Sequence, residues 1–329
     1  MFNLLELQPH KVSTDLSSYH TLLYGSCKSG KSTFFYKSFG QECLFLACEN
    51  GYGALAGVMA VDITKWGDLV QVTKELKKPE IQSKFKVLVI DTVDIFHKYA
   101  TKQICQREGV QALGDIPHGK GYAMVDDLEF EMIKTWENLG YRLAFISHAK
   151  EKAEKLPTGG EVLKYIPSVE RRCLGIVSKF VDNILFGYVG IDSETGGEKR
   201  VIYTRETLSY QAGSRFANLP SEIPFDAKKF NEVWKKAIEE EMALNPDGFT
   251  SKKKEIVMER KVDFTETMNE VKSLINDKFM PANQMGIVVE IGEKHLGQGR
   301  RISECGPNQA DILEVILCAL EEKVEELGL

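Results

Sequence analysis

The sequence predicts an α/β fold with a mostly parallel central sheet, and two observations support this prediction. Continuous apolar runs of strand length occur at CLFLACE (43–49), KVLVID (86–91) and YRLAFIS (141–147). Such runs are typical of strands that are buried on both faces of a parallel sheet. Helical patterns lie between the runs, near residues 31–39, 68–78, 92–107 and 122–139. Alternation of strands and helices indicates a layered α/β architecture.

After residue 180 the pattern changes to one that favours antiparallel strands. The runs VDNILFGYVG and KRVIYTR flank DSETGGE, and this arrangement predicts a hairpin with a glycine turn. A polar helix is expected near residues 226–243. The predicted core therefore has C-terminal antiparallel strands in addition to its parallel ones.

The last part of the sequence predicts a small helical domain. The stretch NPDGFTSKKK (245–254) combines turn residues with a lysine run, which is typical of a linker. Beyond it, Asp263 and Glu266 form a capping pair for a helix whose apolar positions are Phe264, Met268, Val271 and Ile275. A final helix near 308–326 has apolar residues at Ile312, Val315, Ile316, Ala319 and Leu320. We expect a core at 1–243, a linker at 244–256 and a helical domain at 257–329.

Composition sets limits on the protein's class. The net charge of −6 gives no overall signal for nucleic acid, so any such contact must come from a local patch. The N-terminal stretch lacks the pattern of a signal peptide, and no apolar run reaches membrane-spanning length. Seven cysteines without a CxxC pair are typical of reduced thiols. We therefore expect a cytoplasmic protein that has no membrane partner.

The segment GSCKSGKS fits the phosphate-loop pattern G-x-x-x-x-G-K-[ST] and lies between a strand-like run and a helical one. Glycines permit backbone angles that turn successive N–H groups inward around an anion, and the following helix adds its positive dipole. We expect Lys31 to act on the β- and γ-phosphates of ATP, and the Ser32 hydroxyl to ligate Mg²⁺. The predicted nucleotide contacts are Gly25, Ser26, Cys27, Lys28, Ser29, Gly30, Lys31, Ser32 and Thr33.

Three polar residues follow the other predicted strands. Asp91 ends KVLVID, where α/β folds bind ligands, and is expected to be the second Mg²⁺ ligand; the alternative is a helix cap. Glu49 ends the strand after the phosphate-loop helix and is a candidate for orienting the attacking water. His148 follows the next parallel strand and is a candidate sensor of the γ-phosphate, although a structural histidine is equally compatible.

Taken in order, these features resemble the RecA/RadA/DnaB core. The finer strings LLYGSCKSGKST, LACENGYGAL, VLVIDTVD, AFISHAKEK and QAGSRFANLP are similar to phage-type RecA-like ATPases, including single-strand-annealing recombinases with a minimal RadA-like core. The resemblance covers roughly residues 15–225. It implies a RecA-like P-loop NTPase core, in the host cytoplasm if the protein is phage-encoded.

The resemblance also implies a ring or filament of identical subunits, with the nucleotide at subunit interfaces. An arginine late in the core then reaches the γ-phosphate of the neighbouring subunit, and Arg215 stands in that place, with a surface charge as the alternative. Many relatives carry a lysine two residues earlier, whereas this chain has Gly213.

Single-stranded DNA is the second partner that the resemblance implies, and it is contacted by two loops. Here these segments are about 106–122 and 149–172, which mix basic residues, glycines and an aromatic. Lysines neutralise phosphates and an aromatic ring stacks on bases. The candidate DNA contacts are Lys120, Tyr122, Lys150, Lys152 and Lys155. A solvated charged loop is the alternative for each of them, and the lysines of the predicted linker, Lys252, Lys253 and Lys254, also leave both interpretations open.

The leading hypothesis is a Mg²⁺-dependent ATPase that binds single-stranded DNA in homologous recombination or strand annealing during phage replication or repair. A single-stranded-DNA-binding protein is a further candidate partner. A DnaB-like helicase motor, a small-molecule P-loop kinase and a nucleotide-binding protein without DNA function are the alternatives.

Overall fold

The computed structural model describes residues 11–155, 159–192, 196–244, 248–250 and 263–329. The chain divides into two compact units, Met1–Met258 and Glu259–Leu329. Lys252, Lys253 and Lys254, with most of the predicted linker, lie outside the described residues. No helix among the described residues is both long enough and apolar enough to cross a bilayer.

The first unit is built on a large mixed sheet. In chain order the described strands are β1 (Val12–Ser13), β2 (Thr21–Gly25), β3 (Cys43–Ala47), β4 (Ala60–Asp62), β5 (Val87–Asp91), β6 (Arg142–Lys155), β7 (Glu161–Pro167), β8 (Asn183–Ile191), β9 (Glu198–Tyr203), β10 (Gly213–Ser214), β11 (Glu222–Pro224) and β12 (Phe249–Thr250). The main path runs β11-β9-β8-β2-β6-β5-β3-β4. From β8 to β4 neighbouring strands are parallel, whereas β9 and β11 are antiparallel. The predicted α/β class, with its parallel centre and antiparallel C-terminal strands, is confirmed.

Helices cover both faces of this sheet. The described α-helices of the first unit are α1 (Lys31–Phe39), α2 (Trp66–Leu76), α3 (Pro79–Lys84), α4 (Val93–Glu108), α5 (Lys120–Asn138), α6 (Arg171–Phe180) and α7 (Ala227–Leu244). Alternate residues of each central strand enter different cores: Leu88 and Ile90 pack in one hydrophobic cluster, and Val87 and Val89 in the other. This two-sided burial explains the continuous apolar runs in the sequence.

Gly25 ends β2 and lies opposite Gly187 of the neighbouring strand β8. A Cβ atom at this position would lie 2.4 Å from the carbonyl oxygen of Gly187, so a larger residue would force the strands apart. The first glycine of the phosphate-loop pattern is therefore required by strand packing.

The two segments predicted to be loops are largely ordered secondary structure. Strand β6 continues beyond the sheet and pairs antiparallel with β7, and α6 then begins at Arg171. The backbone of such a long strand needs hydrogen-bond partners outside the sheet, and the returning strand supplies them. Lys150, Lys152 and Lys155 therefore lie on a β-hairpin, while Lys120 and Tyr122 lie in the first turn of α5. The turn of the predicted hairpin DSETGGE includes residues 193–195, which lie outside the described residues.

The second unit is helical, as predicted. Its described α-helices are α8 (Phe264–Leu274), α9 (Met285–Leu296) and α10 (Ala310–Leu327). The Asp263 carboxylate caps α8 by accepting the N–H groups of Thr265 and Glu266. On α10 the buried face carries Leu313, Ile316, Leu317 and Leu320. The apolar residues Ile312 and Val315 of the same helix lie outside this buried face and are exposed.

Candidate nucleotide-binding site

The phosphate loop connects β2 to α1, and its conformation depends on residues in the left-handed region. Gly30, which precedes α1, has φ +98°, and Lys28 has φ +60°. The Lys31 ammonium group folds back over the loop and donates hydrogen bonds to the carbonyl oxygens of Gly25 (3.0 Å) and Ser26 (2.8 Å). Lys31 is only 5% exposed. Burial lowers the pKa of Lys31, and the negative charge of Asp91 opposes this shift.

Ser32 and Asp91, the predicted pair of Mg²⁺ ligands, are in direct contact. The Ser32 hydroxyl donates to Oδ2 of Asp91 across 2.6 Å, although the residues are 59 positions apart. Asp91 is 4% exposed, and burial raises its pKa; the hydrogen bond from Ser32 opposes the shift, and the charge of Glu49 adds to it. A hydroxyl and a carboxylate oxygen at the end of a phosphate loop are the donor set that Mg²⁺ accepts beside substrate phosphates.

The chain after β3 passes very close to Asp91. The backbone N–H groups of Cys48 and Glu49 both donate to the Asp91 carbonyl oxygen, at 2.7 and 2.9 Å. At Gly51 a Cβ atom would lie 2.8 Å from Oδ2 of Asp91 and 3.4 Å from the Ser32 hydroxyl. Gly51 therefore permits this close approach, which positions Glu49 next to the predicted metal ligands.

The Glu49 carboxylate is oriented by two side chains. Its Oε1 accepts a hydrogen bond from the Thr92 hydroxyl at 2.6 Å, and its Oε2 lies 3.2 Å from Nε2 of His148. Both Glu49 and His148 remain about one third exposed toward the site. The structure thus brings together Glu49 and His148, which were predicted separately from the ends of two strands.

These residues line one cavity of about 480 Å³. Its lining comprises Cys27, Lys28, Ser29, Gly30, Lys31, Ser32, Thr33, Glu49, Asn50, Gly51, Gly53, Ala54, Asp91, Thr92 and His148. A larger, apolar groove of about 790 Å³ lies beside β4, α2 and α3. The smaller cavity is the candidate site because it contains the phosphate loop and the converging charged groups.

A family profile described as an AAA domain matches residues 17–216, which is more than half of the chain. The chain belongs to this AAA-domain family. It therefore has a P-loop ATPase domain of the AAA type, as the phosphate loop predicts. The matched range contains all the predicted nucleotide-site residues and ends just after Arg215.

Two similar proteins place the AAA domain in context. The SPbeta prophage-derived uncharacterized protein YorG of Bacillus subtilis (strain 168) is 29% identical over 311 residues, which is 92% of this chain and 93% of that protein. Among solved structures, a KaiC-like protein from Pyrococcus horikoshii OT3 aligns with 66% of this chain and 94% of its own, at 12% identity and a TM-score of 0.35.

Arg215 lies near the amino ends of the parallel strands in the AAA domain's sheet, whereas the phosphate loop lies at their carboxyl ends. It follows β10, which pairs with Asn183 and Ile184 at the start of β8, whereas the phosphate loop follows the strand end that pairs with Gly187. The four-residue separation along β8 corresponds to about 13 Å. Its guanidinium is 3.1 Å from the Asp182 carboxylate, and its side chain is 63% exposed. Arg215 is therefore remote from the phosphate loop of its own chain.

The predicted DNA contacts of the AAA domain lie on two elements, the β6–β7 hairpin and the first turn of α5. The Lys150 ammonium group donates to the carbonyl oxygen of Ser168 at 3.0 Å. The ring of Tyr122, which is 43% exposed, lies beneath the Arg172 guanidinium at 5.8 Å from its centre. Lys120, Lys152 and Lys155 are exposed. Lys150 and Lys152 share one face of β6, and Lys155 lies on the other face, because strand residues alternate.

Several residues of the site were missed by sequence reasoning. Thr92 follows the predicted metal ligand directly, and a hydroxyl at that position was the available signal. Gly51 stands in the quoted string LACENGYGAL, but its contact with Asp91 depends on the fold. Arg200 on β9 donates to the carbonyl oxygen of Ser29 in the phosphate loop at 3.1 Å. No sequence signal marks Arg200, since the two residues are 171 positions apart.

Proposed function

We propose that this protein is an oligomeric, Mg²⁺-dependent ATP hydrolase that binds single-stranded DNA and acts in recombination or strand annealing. The observation that carries the proposal is the convergence of Ser32, Asp91 and Glu49 on one cavity at the phosphate loop. Placement of Arg215 at the far edge of the sheet supports the oligomeric part of the proposal.

Hydrolysis requires phosphate binding, charge compensation and an oriented water molecule. Backbone N–H groups of the phosphate loop and the Lys31 ammonium group would bind the phosphates. Ser32 and Asp91 would hold Mg²⁺, which compensates charge on the β- and γ-phosphate oxygens. Glu49 would accept a hydrogen bond from the attacking water and so orient it toward the γ-phosphate. Thr92 and His148 would fix the direction of that carboxylate through the contacts described above.

The neighbouring subunit would complete the site with Arg215. An exposed guanidinium that cannot reach its own phosphate loop fits a heterologous contact, in which different faces of identical subunits meet. Its pairing with Asp182 is weak at that exposure, so exchange for a more highly charged phosphate partner is favourable.

The DNA part of the proposal rests on exposed cations and one aromatic ring. Lys150 and Lys152 project from the same face of the β6–β7 hairpin, and Tyr122 with Arg172 forms a cation–π pair near its base. An exposed ring beside a guanidinium is suited to base stacking next to a phosphate contact. Near-full-length similarity to a prophage-derived protein supports the phage setting of the proposal.

The deciding experiment measures the ATPase rate of the full-length protein with and without single-stranded DNA, beside sizing in a nonhydrolysable ATP analogue. We expect DNA to stimulate turnover and the analogue to produce a larger assembly. A Lys150→Ala, Lys152→Ala double variant should retain basal turnover but bind DNA several-fold more weakly, with a smaller salt dependence, because two phosphate contacts are lost. Lys37→Ala, at an exposed position of α1, is the matched control.

The outcomes separate the alternatives. Strand displacement from a forked duplex would indicate a helicase motor. Transfer of phosphate to a small molecule, without any effect of DNA, would indicate a kinase. Turnover near zero that DNA does not change would contradict the enzyme part of the proposal and favour a regulatory nucleotide.

A further inference from the structure

Three helices of the first unit meet at a cluster of metal-ligating side chains that is separate from the nucleotide cavity. His97 on α4, Glu129 on α5 and Cys173 on α6 place one ligand atom each within 4.8 Å of one another. Nδ1 of His97 is 2.7 Å from Oε1 of Glu129. An imidazole nitrogen, a carboxylate oxygen and a sulfur atom thus converge from three different elements.

The cluster is buried to a degree that ordinary polar residues rarely reach. Glu129 and Cys173 are both 0% exposed, and the side chain of His97 is 16% exposed. The second carboxylate oxygen of Glu129, Oε2, is buried and accepts no hydrogen bond from a nitrogen or oxygen donor of a described residue. The neighbouring donor to this carboxylate is the Cys173 thiol, and burial together with the Glu129 charge raises the pKa of that thiol. A thiol is a weak hydrogen-bond donor, so it compensates the burial of this carboxylate oxygen poorly, and a metal ion that replaced the thiol proton would satisfy both groups.

We propose that His97, Glu129 and Cys173 bind a divalent transition-metal ion, with Zn²⁺ as the best match. Nitrogen, oxygen and thiolate donors together are typical of zinc, whereas Mg²⁺ requires oxygen ligands. The Glu129 carboxylate and a Cys173 thiolate would balance the two charges of the ion, so the buried complex would be neutral. The partly exposed His97 lies on the side from which a fourth ligand can enter.

A metal ion at this position would join parts of the chain that serve the two predicted sites. Helix α4 begins two residues after Asp91, and α6 follows the β6–β7 hairpin. Asp94, one turn before His97, already contacts the Ser168 hydroxyl in the segment before α6. The ion would therefore fix the base of the hairpin to the helix that follows the nucleotide site.

The test is a Co²⁺ titration of the full-length protein after dialysis against a chelator, without nucleotide. We expect a thiolate-to-cobalt charge-transfer band that saturates at one equivalent and disappears when Zn²⁺ is added. Cys173→Ser should abolish the band. A Cys27→Ser, Cys318→Ser double variant, which removes the two exposed cysteines, should retain it. Absence of the band, or its persistence in Cys173→Ser, would overturn the proposal.

Cys173 is buried, so Cys173→Ser can lose the band by misfolding, and a second measurement distinguishes this from loss of a metal ligand. Zn²⁺ should raise the melting temperature of the wild-type protein, because it binds the folded state. The partly exposed position His97 can be changed to Gln, and Zn²⁺ should then have no such effect. An equal rise in both proteins would show binding elsewhere, and no rise in either would leave His97 and Glu129 as a buried ion pair only.

A second inference follows independently from the position of Arg200, and it rests on the proposed nucleotide function. The Ser29–Gly30 peptide bond is trans, so its carbonyl and its N–H point in opposite directions. Because the Arg200 guanidinium binds the Ser29 carbonyl from outside, the Gly30 N–H is directed away from Arg200 and into the loop. We infer that Arg200 is a positioning residue, which orients this N–H toward the bound phosphate.

Arg200→Gln should raise the KM for ATP by about tenfold to a hundredfold, since a charge-assisted hydrogen bond that orders the loop is lost. We expect a much smaller change in kcat and partial rescue by Arg200→Lys. Arg107→Gln, at an exposed arginine on α4, is the matched control. An unchanged KM in Arg200→Gln would refute the inference, whereas failure of the wild-type protein to bind ATP would refute the proposed function instead.

Discussion

At the carboxyl edge of the central sheet, Ser32, Asp91 and Glu49 lie within one compact group of polar contacts, whereas at the amino edge Arg215 pairs with the adjacent Asp182. At the carboxyl edge, the side chains of Ser32, Asp91 and Glu49 are already positioned within a single chain. At the amino edge, the Arg215 guanidinium is exposed and distant from the phosphate loop of its own chain. Under the proposed function, the carboxyl edge would determine nucleotide binding, and Arg215 at the amino edge would act only when copies of the chain associate.

Changing Arg215 to Ala should give the largest effect and tests the comparison directly. Loss of an arginine that acts from a neighbouring subunit lowers kcat by about 10³- to 10⁵-fold in comparable enzymes. Nucleotide binding by the single subunit should be retained. The measurements are steady-state turnover and binding of a fluorescent ATP analogue; a variant that hydrolyses ATP normally would contradict the role.

Mixing two inactive variants sharpens this prediction. Lys31→Ala lacks the phosphate-loop cation but retains Arg215, and Arg215→Ala has the reverse defect. In a ring with heterologous interfaces, about a quarter of randomly mixed sites would combine both intact groups, so activity should reappear. If both groups acted within one chain, the mixture would stay inactive.

Glu49→Gln should reduce turnover by about 10²- to 10⁴-fold, the usual contribution of a general acid–base group. The amide still accepts the hydrogen bond from Thr92, so the local structure should persist. Binding of ATP should be nearly unchanged, which titration calorimetry can measure. Glu75→Gln, at an exposed position on α2, is a suitable control, and equal turnover in both variants would remove Glu49 from the mechanism.

Lys31→Ala should weaken ATP binding by roughly 30-fold to several thousand-fold, because loss of a buried charged contact costs about 2–5 kcal/mol. The measurement is the dissociation constant for ATP. Lys37→Ala, at an exposed position six residues farther along α1, should bind ATP normally. Comparable weakening in the two variants would show that the effect is not specific to the phosphate loop.

The smallest of these expected effects is the change in stability caused by Asp91→Asn. This substitution should stabilise the fold while it lowers activity. Burial raises the pKa of Asp91, so this carboxyl favours the folded state below its unfolded pKa, and the benefit is lost as pH rises through the folded value. At neutral pH the ionised group is therefore a cost. Without Mg²⁺ and nucleotide, we expect the variant to melt a few degrees higher, since about 1 kcal/mol corresponds to roughly 2–4 °C.

Scanning calorimetry across pH checks this prediction. The difference between Asp91→Asn and the wild-type protein should shrink as the pH falls toward the unfolded pKa of the carboxyl. Mg²⁺-dependent turnover of the variant should be strongly reduced throughout. A lower melting temperature in the variant at neutral pH would mean that the Asp91 charge stabilises the fold.

Much of the carboxyl edge could be predicted from the sequence because its information is local. A phosphate loop is a contiguous pattern, and Asp91 and Glu49 each follow an apolar run that marks a buried strand. Parallel strands bring such ends to one edge, so the meeting of distant residues follows from the fold class alone.

The remaining contacts could not be predicted because they depend on sheet order and register. Arg200 reaches the phosphate loop only because β9 is next to β8, which in turn is next to β2. The cluster of His97, Glu129 and Cys173 depends on the packing of three helices whose surface patterns show no relation in the sequence. The hairpin of β6 and β7 was predicted as a loop, because its mixture of charges and glycines does not distinguish exposed strands from coil.

Strand β6 spans 14 residues, or about 45 Å, without interruption. Its first part, residues 142–147, is buried in the sheet. His148 follows directly and contacts Glu49, and Lys150 and Lys152 come two and four residues later on the exposed part of the strand. One continuous strand therefore connects the candidate DNA-binding lysines to the residue that contacts Glu49. Under the proposed function, tension on DNA held by Lys150 and Lys152 would reach Glu49 through His148 along this strand, so DNA binding and the timing of ATP hydrolysis would be coupled.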